Sequence, residues 1–448
     1  MNKFAKAVLV VGLPAVLVTS CDNFLTGPKL TTDPNRPQLA EAGQLLVGVQ
    51  AAQFTQFEGL LARVAAMWTQ QLAGTARQHL QFGQYDITES TATSQFSQVY
   101  LGGGLIDVMK IEDITDSVGD ELFGGIARVW EALIVGTAAS LWGDIPYSES
   151  VGGVLEPSLD GQSEVYAAVQ AKLDTAITLL ESGQGAGPGA SDLIFGGDGD
   201  KWLEVAHTLK ARFYLHLAEA DPANYQLAII EAQQGISSPA GDFTSFHTSS
   251  QTEANIWHQF DRERAGDIAA GEFLVNLLKS RSDPRLALYF APNDDGDIEG
   301  AGPSGTGSES PSNLSAERLD PAFRQPIITW AENELILAEA KFSVSGAAAA
   351  KPHVDAVRAD AGLGPLAGAV TLQAIILEKY IALFQNIEVY NDYKRTCFPV
   401  LAPAPGKTAI PGRVLYGVDE RNANSNIPDP QAQPERNDND PNACTGVP

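Results

Sequence analysis

Two stretches of the chain combine aromatic rings with planar polar side chains, which suits sugar binding. An aromatic face stacks on the C–H surface of a sugar ring, and carboxamide, imidazole and guanidinium groups hydrogen-bond its hydroxyls. The first stretch is Trp68–Tyr85 and the second is Phe243–Arg264. The candidate ligand-binding residues in them are Trp68, Gln71, Arg77, Gln78, His79, Tyr85, Asn255, Trp257, His258 and Arg262.

The alternative for each ring is that it fills the core beneath a loop, because most Trp and Phe side chains are largely buried. Trp68–Tyr85 lacks a long apolar face, so we expect an exposed, irregular segment there. The helical period also lapses around Trp257, which favours a binding role for that ring. Trp130 and Trp202 lie on apolar helix faces and are predicted to be core residues.

Signals for catalysis are weak. The sequence has no GxSxG, HExxH or P-loop motif, and its six histidines are scattered. Carboxylate pairs for glycoside hydrolysis arise by chance among 55 acidic residues, so a surface glycosidase stays only a competing hypothesis. The loop Asn293–Glu299 partly matches calcium-loop spacing, but a solvated acidic loop is the favoured interpretation. We therefore predict no enzyme activity, no metal and no cofactor.

Apolar residues recur at helical spacing through most of the chain, and alternating strand patterns are sparse. The predicted class is mainly α with little β, built from stacked helical hairpins and long loops. The predicted helices cover 39–67 with a break at Gly59, 94–111, 123–141, 161–180, 198–220, 222–236, 271–279, 327–343, 352–361 and 371–392. The helix over 123–141 feeds a turn at Gly143 and Pro146, where Trp142 and Tyr147 are predicted to form a packed corner.

Charge and the N-terminus restrict the partners and the location. With 55 acidic against 29 basic residues, the net charge is −26, which argues against nucleic-acid or phosphate partners. Residues 1–20 read as a secretory signal, with Lys3 and Lys6 before an apolar run. The sequence ending in Cys21 resembles a bacterial lipobox, so Cys21 is predicted to carry a lipid anchor.

The predicted organisation is a signal peptide (1–20), a lipidated extended tether (21–38) and one α-helical domain (39–448). That domain includes a loop-rich insertion over 237–325 and an irregular C-terminal coat over 399–448, rich in Pro, Asn, Asp and Gly. Cys397 and Cys444 are the other two cysteines. In an oxidising compartment they could pair, but nothing in the sequence shows that they meet, so their pairing stays open.

Short motifs in a fixed order give the chain a family resemblance. They are Cys21–Leu25, Thr32–Asn35, Leu141–Tyr147, Gly197-Asp198 with Lys201-Trp202 and Lys210–Arg212, Ser282–Arg285, Trp330–Glu332 with Leu337–Ala340, Glu378–Phe384, Asn391–Thr396 and Pro411–Tyr416. Together they resemble the SusD/RagB-type outer-membrane lipoproteins of Bacteroidetes-like bacteria.

The resemblance implies a tetratricopeptide-like scaffold with a loop-rich ligand face and no catalysis. It implies a nutrient-binding protein, most often for oligosaccharides, lipid-anchored in the outer membrane and exposed at the cell surface. Its implied partner is a SusC-type TonB-dependent transporter, on which it would sit as a lid. Ligand-contacting residues vary in this family, so no binding residue is carried over by motif. Peptide capture and a purely structural lid remain alternatives.

Overall fold

The computed structural model describes residues 40–441 and Cys444. The predicted signal peptide, the lipidation site Cys21 and the tether lie outside the described residues. The chain divides into two units, Met1–Glu41 and Ala42–Pro448, and everything below concerns the second unit.

The second unit is mainly α-helical, which confirms the predicted fold class. Its strands are short and form two two-stranded antiparallel sheets, Leu72–Gly74 with Ile268–Ala270, and Phe243–Thr244 with Pro326–Ile328. The α-helices are Ala42–Glu58, Leu60–Trp68, Arg77–Gly83, Thr93–Gln98, Leu105–Val118, Glu121–Trp142, Gln162–Ser182, Gly199–Leu217, Ala223–Ala232, Ile256–Arg264, Glu272–Ser280, Arg285–Tyr289, Trp330–Ser345, Ala347–Asp360, Leu372–Ala382, Glu388–Thr396 and Val418–Ala423.

Helices that are neighbours in sequence pack on one another and build the predicted hairpin scaffold. Glu121–Trp142 packs on Gln162–Ser182, and Gly199–Leu217 packs on Ala223–Ala232. The helix Trp330–Ser345 then packs on Ala223–Ala232, although nearly one hundred residues separate them in sequence. The scaffold is therefore continuous in space, and the segment 237–325 branches off between two of its packed helices.

The helix Glu121–Trp142 is the apolar centre of the scaffold. Asp120 caps its N-terminus by accepting a hydrogen bond from the Phe123 amide at 3.1 Å, and it ends at Gly143, whose φ is 75°. It is long and apolar enough to cross a membrane, but 89% of its apolar window is buried inside the protein. Burial of that extent identifies a core helix rather than a membrane span.

The corner after this helix is packed, as predicted. Trp142 is buried and its indole N–H donates to the Leu415 carbonyl at 3.0 Å. The Tyr147 hydroxyl donates to the Glu131 carboxylate at 2.6 Å. Both aromatic side chains therefore fasten the turn to the scaffold.

Two predicted helices are each broken in two. The prediction over 94–111 fails at Gly103, which has a φ of 79°. A side chain at Gly104 would also lie 2.3 Å from the Gln98 carbonyl oxygen. The prediction over 371–392 fails between Ala382 and Glu388, where Gln385 has a φ of 64°. Apolar spacing alone did not reveal either break.

Ion pairs join the scaffold helices inside the core. The Arg212 guanidinium forms a bidentate pair with Glu332 at 2.6 Å for both bonds. The His216 imidazole bonds Glu388 at 2.6 Å. These four side chains are 0–4% exposed, and they connect three separate helices. Arg395 similarly meets Glu339, so the polar motif residues quoted above are largely internal.

The chain beyond Pro399 is mostly irregular and lies against this core. The Tyr390 hydroxyl donates to the Pro411 carbonyl at 2.6 Å, and the Val414 amide donates to the Leu141 carbonyl at 2.9 Å. A disulfide joins Cys397 to Cys444. The pairing that the sequence left open is thus formed in the structure.

Replacing Arg212 with Ala should strongly destabilise the fold, because it leaves the Glu332 carboxylate buried without its partner. Removal of one member of a buried pair costs about 3–5 kcal/mol of unfolding free energy. Urea denaturation of Arg212→Ala against the wild type measures this loss.

The matched control is Lys110→Ala, which removes a cation whose side chain is 58% exposed and should change stability little. The double variant Arg212→Met with Glu332→Leu removes both charges and should lose less than the single variant. If the double variant were the less stable of the two, the buried charge would not be the cause.

Candidate functional site

Most candidate residues of the first stretch are buried. The expectation of an exposed, irregular segment over Trp68–Tyr85 is wrong, because it contains a strand and a helix. Trp68 is fully buried, with its indole N–H donating to the Phe82 carbonyl at 3.0 Å. Gln71 is also fully buried, and its carboxamide bonds the Tyr380 carbonyl and the Gln385 amide. Direct ligand contact by Trp68 and Gln71 is therefore corrected to a structural role.

The second stretch forms a helix, Ile256–Arg264, rather than a loop. The fully buried Asn255 caps it by accepting hydrogen bonds from the Trp257 and His258 amides. Trp257 is 1% exposed, and the half-buried His258 donates from Nδ1 to the Leu319 carbonyl at 2.8 Å. Asn255 and Trp257 are thus cap and core residues, and burial rules out their proposed stacking or bonding to a ligand.

Five candidates keep surface access. Arg77, Gln78 and Arg262 are exposed, and Tyr85 and His258 are half-buried. Arg77 is ion-paired with Asp267, and the Tyr85 hydroxyl accepts a hydrogen bond from the Ala404 amide at 3.1 Å. Their role in ligand binding stays a prediction.

The two stretches nevertheless meet, as a shared binding face would require. Leu72–Gly74 pairs with Ile268–Ala270 in a short antiparallel ribbon. Beside it, the buried His79 imidazole lies 3.1 Å from the Asp267 carboxylate and stands edge-on to the Phe260 ring at 4.8 Å. Burial lowers the pKa of His79 to about 4, with a further lowering by the nearby cation of Arg63. His79 is therefore a neutral structural residue that fastens one stretch to the other.

A groove of about 660 Å³ opens beside this ribbon, and we call it the ribbon groove. One wall is the helix Glu272–Ser280, and another is the loop over 400–405. Gln70 holds this loop by donating from its carboxamide to the Ala402 carbonyl at 2.6 Å. The side chains that matter for ligand chemistry are Gln70, Glu272, Phe273, Asn276, Ser280 and Thr306.

The helix Glu272–Ser280 turns a row of polar side chains into the ribbon groove; of these, the Ser280 hydroxyl donates to the Leu277 carbonyl at 2.8 Å. Glu272, Asn276 and Ser280 are four residues apart, so they share one face of the helix, and all three are exposed. Within the part of the chain that the structure describes, the Glu272 carboxylate and the Asn276 carboxamide have no hydrogen-bond partner. These groups are available to donate to or accept from a ligand.

Phe273 supplies an apolar surface in the same groove. It is half-buried, and its ring stands edge-on to the buried Tyr380 ring at 5.8 Å, which fixes its orientation. A held aromatic ring beside carboxylate and carboxamide groups matches the surface of a sugar. The ribbon groove therefore has the chemistry that the sequence assigned to the two stretches, but on different residues.

The groove is poorly equipped for catalysis or for metal binding. Glu272 is the one carboxylate among the described residues that line it, whereas glycoside hydrolysis needs two flanking the bond. Among residues 40–441, no cluster of three or more His, Cys, Asp or Glu side chains could hold a metal ion. In the loop Asn293–Glu299, the Asn293 side chain accepts hydrogen bonds from the Asp295 and Asp297 amides, so it organises the loop itself.

A second groove, of about 390 Å³, runs along the first described helix, Ala42–Glu58. Its most exposed ring is Phe246, which is 38% exposed and has the Arg324 guanidinium 5.7 Å from its centroid. His247 also lines it, but both ring nitrogens are engaged, by the Glu253 carbonyl and the Glu58 carboxylate. With fewer free polar groups, this groove suits a sugar less well than the ribbon groove does.

A family model named SusD-like_2 and described as "Starch-binding associating with outer membrane" matches residues 34–417. The chain belongs to the SusD-like family. No curated protein matches it.

Solved structures of low sequence identity share the fold of this SusD-like chain. A SusD/RagB family protein from Bacteroides thetaiotaomicron is 20% identical, with a TM-score of 0.75, and the match covers 92% of this chain and 100% of that one. A chitin-binding protein has 20% identity and a TM-score of 0.76 over 90% and 100% of the two chains. A chitin-binding SusD homolog from Flavobacterium johnsoniae has 19% identity and a TM-score of 0.75 over 89% and 99%.

The groove residues of this SusD-like chain lie outside the motifs that identified the family. Glu272, Phe273 and Asn276 stand on a segment that the sequence predicted only as a regular helix. The available signal was the spacing of Glu272, Asn276 and Ser280 on one polar face. That signal was weak, because solvated helix faces have the same spacing.

The neutral state of His79 predicts a loss of stability in acid. Its folded-state pKa of about 4 is below the usual 6.5, so its contribution is complete above pH 6.5 and is lost as the pH falls towards 4. His79→Gln should abolish this part, making stability less pH-dependent by roughly 2–3 kcal/mol between pH 7 and pH 4. Urea denaturation of both proteins at several pH values measures the difference, and parallel curves would contradict the assignment.

Proposed function

We propose that this SusD-like protein is a cell-surface binding lipoprotein that captures a nutrient and delivers it to a TonB-dependent outer-membrane transporter. The observation that carries the proposal is the family match over residues 34–417. The favoured ligand is an oligosaccharide. The description of the family as starch-binding and the chitin-binding names of two similar structures support this ligand class.

The ribbon groove is the proposed ligand site. The Phe273 ring stacks on a sugar face, while Glu272 and Asn276 bond its hydroxyls. Arg77, Gln78, Tyr85, His258 and Arg262 are the candidates from the sequence that keep surface access; none of them is among the described residues that line the ribbon groove, and their contribution to binding stays a prediction. A groove of about 660 Å³ accommodates a short oligosaccharide rather than a single sugar.

Anchoring and partner complete the proposal. Lipid attached to Cys21 tethers the folded part to the outer membrane, on the outer face of the cell. The partner is a SusC-type transporter, on which the protein acts as a lid. Peptide capture by the same groove is the first alternative, because carboxylate and carboxamide groups also bond peptide backbones. A structural lid without its own ligand is the second.

Phe273→Ala should weaken oligosaccharide binding at least tenfold, because an aromatic anchor at the centre of a site contributes at least about 1.4 kcal/mol. Calorimetric titration with a panel of neutral starch- and chitin-type oligosaccharides measures the affinity. Asn276→Ala should also weaken binding, by the loss of hydroxyl contacts.

The matched control is Phe246→Ala, which removes a partly exposed ring in the other groove and should leave the affinity unchanged. Loss of binding with Phe246→Ala instead of Phe273→Ala would move the site to that groove. Binding of peptides but of no glycan would replace the ligand class. Release of a hydrolysed sugar would overturn the non-catalytic assignment.

Cys21→Ser should release the protein from the membrane, because the lipid is attached through the cysteine sulfur. Cell fractionation and labelling with a radioactive fatty acid measure the effect in the full-length chain. Cys397→Ser serves as the control, since it removes a cysteine but leaves the anchor. A Cys21→Ser protein that stays in the membrane fraction would exclude this anchor.

A further inference from the structure

A third groove, of about 520 Å³, lies in the irregular C-terminal region, and we call it the coat groove. The loop over 400–409 separates it from the ribbon groove. Residues 400–405 line the ribbon groove, and residues 406–409 line the coat groove. The lining residues that carry the argument are Tyr85, Lys407, Arg413, Gln433, Glu435 and Arg436.

The charge of the coat groove is opposite to that of the protein. Acidic residues outnumber basic ones 55 to 29 in the whole chain. The described residues that line this groove include three cations, Lys407, Arg413 and Arg436, against one carboxylate, Glu435. Asp86 meets Lys407 at 2.7 Å, and both side chains are partly exposed. With Asp86 counted, three cations face two carboxylates, so the groove carries a small positive excess on an otherwise acidic protein.

Arg413 is the unusual member of this set. It is 4% exposed, and its Nη2 atom is buried without a hydrogen-bond partner. No carboxylate within the described residues forms an ion pair with it. Its contacts include a long hydrogen bond from Nε to the Val414 carbonyl, at 3.3 Å, the face of the Tyr416 ring, at 4.6 Å, and an interaction with the Tyr416 phenol that opposes the rise of the phenol's pKa.

Other buried arginines show what Arg413 lacks. Arg212 is paired with Glu332, Arg285 with Asp283, and Arg395 with Glu339. A buried charge without a counter-charge is costly, because the interior replaces its hydration poorly. An anion in the groove would supply that counter-charge and two acceptor atoms for the planar guanidinium.

The backbone holds the cations in a fixed arrangement. Gly412 pairs with Arg436 in an isolated bridge, and a side chain at Gly412 would lie 2.7 Å from the Glu435 carbonyl oxygen. Only glycine allows this approach. Burial raises the pKa of the Tyr390 phenol well above its usual value, the nearby carboxylate of Asp440 adds to the rise, and Arg413 and Arg436 both oppose it. Both guanidinium groups therefore lie near the same ring.

We propose that the coat groove binds the anionic group of a small ligand, a carboxylate or a sulfate, with Arg413 as the central contact and Arg436 and Lys407 beside it. The anionic group belongs either to an acidic sugar or to a free ion. The site does not depend on the neutral-glycan function of the ribbon groove, since no ribbon-groove side chain contributes a charge to it.

Thermal denaturation and calorimetric titration test the proposal on the full chain. The probes are an oligogalacturonate and inorganic sulfate, each compared with sodium chloride at the same ionic strength. The wild type should gain several degrees in Tm and bind at least one of the two probes. Arg413→Gln should lose at least tenfold in affinity. Sulfate stabilises proteins generally, but that general effect is the same for the wild type and for Arg413→Gln, so it cancels when the two proteins are compared.

Two further variants guard against a trivial loss of folding. Lys407→Gln changes an exposed residue, should fold normally and should weaken anion binding a few-fold. Arg413→Lys keeps the charge but removes the planar fork, so it should also bind more weakly. In buffer without the probes, Arg413→Gln should be at least as stable as the wild type, because it removes an unpaired buried charge. The matched control is Lys110→Gln, outside the groove, which should bind like the wild type.

The outcomes separate the sources of the anion. Tighter binding of oligogalacturonate than of sulfate supports an acidic sugar, and sulfate binding alone supports a free ion. Equal binding by the wild type, Arg413→Gln and Lys407→Gln overturns the proposal, as does a wild type that responds to neither probe beyond chloride. Phe273→Ala should leave the anion response intact. Failure of the anion proposal and failure of the neutral-glycan proposal can therefore be told apart.

Discussion

The buried pair of Arg212 and Glu332 is the constraint on which the rest of the structure depends. It joins the helix Gly199–Leu217 to the helix Trp330–Ser345, which flank the long segment 237–325 in sequence. Arg212 also donates to the Ile327 carbonyl at 3.1 Å, so it holds the point where the chain returns to the scaffold. The end at which this segment returns to the scaffold is thereby fixed, and at its other end the Ile236 amide donates to the Thr208 hydroxyl at 2.9 Å, so a ligand site built on the segment gains a rigid base.

The same demand for satisfied buried polar groups explains why Gln71 and Asn255 have structural roles. Irregular backbone leaves carbonyl and amide groups that secondary structure does not pair. The Gln71 carboxamide donates to the Tyr380 carbonyl and accepts from the Gln385 amide, at the break between two helices. The Asn255 carboxamide accepts from the Trp257 amide at a helix start and donates to the Glu58 carboxylate. Polar composition thus marked where the backbone needs side-chain partners, and neither Gln71 nor Asn255 lines the ribbon groove.

Sequence patterns predicted what is local. The helix Glu121–Trp142 and its stop at Gly143 follow from apolar spacing and from the backbone freedom of glycine, so they were visible in the sequence. Burial of Trp68 and Gln71 depends on partners far along the chain, and the Gln71 contact with Tyr380 spans 309 residues. No local period carries that information. The sequence therefore indicated two stretches that pair in the structure, but it did not reveal that Trp68 and Gln71 are buried within the fold.

The buried arginines in the family motifs differ in whether a carboxylate of the chain pairs with them. Arg212, Arg285 and Arg395 all lie in those motifs, and each is buried against a carboxylate that also belongs to one of them. The counter-charge of each of these three arginines therefore comes from within the fold. Arg413 lies in the motif Pro411–Tyr416 and is buried to the same extent, yet in the described chain it meets a carbonyl and a ring instead of a carboxylate. Packing alone does not require a guanidinium there, because an apolar side chain would fill the space without an unpaired charge. Its position at the edge of a cationic groove supplies the missing reason, since the counter-charge can then come from outside the chain.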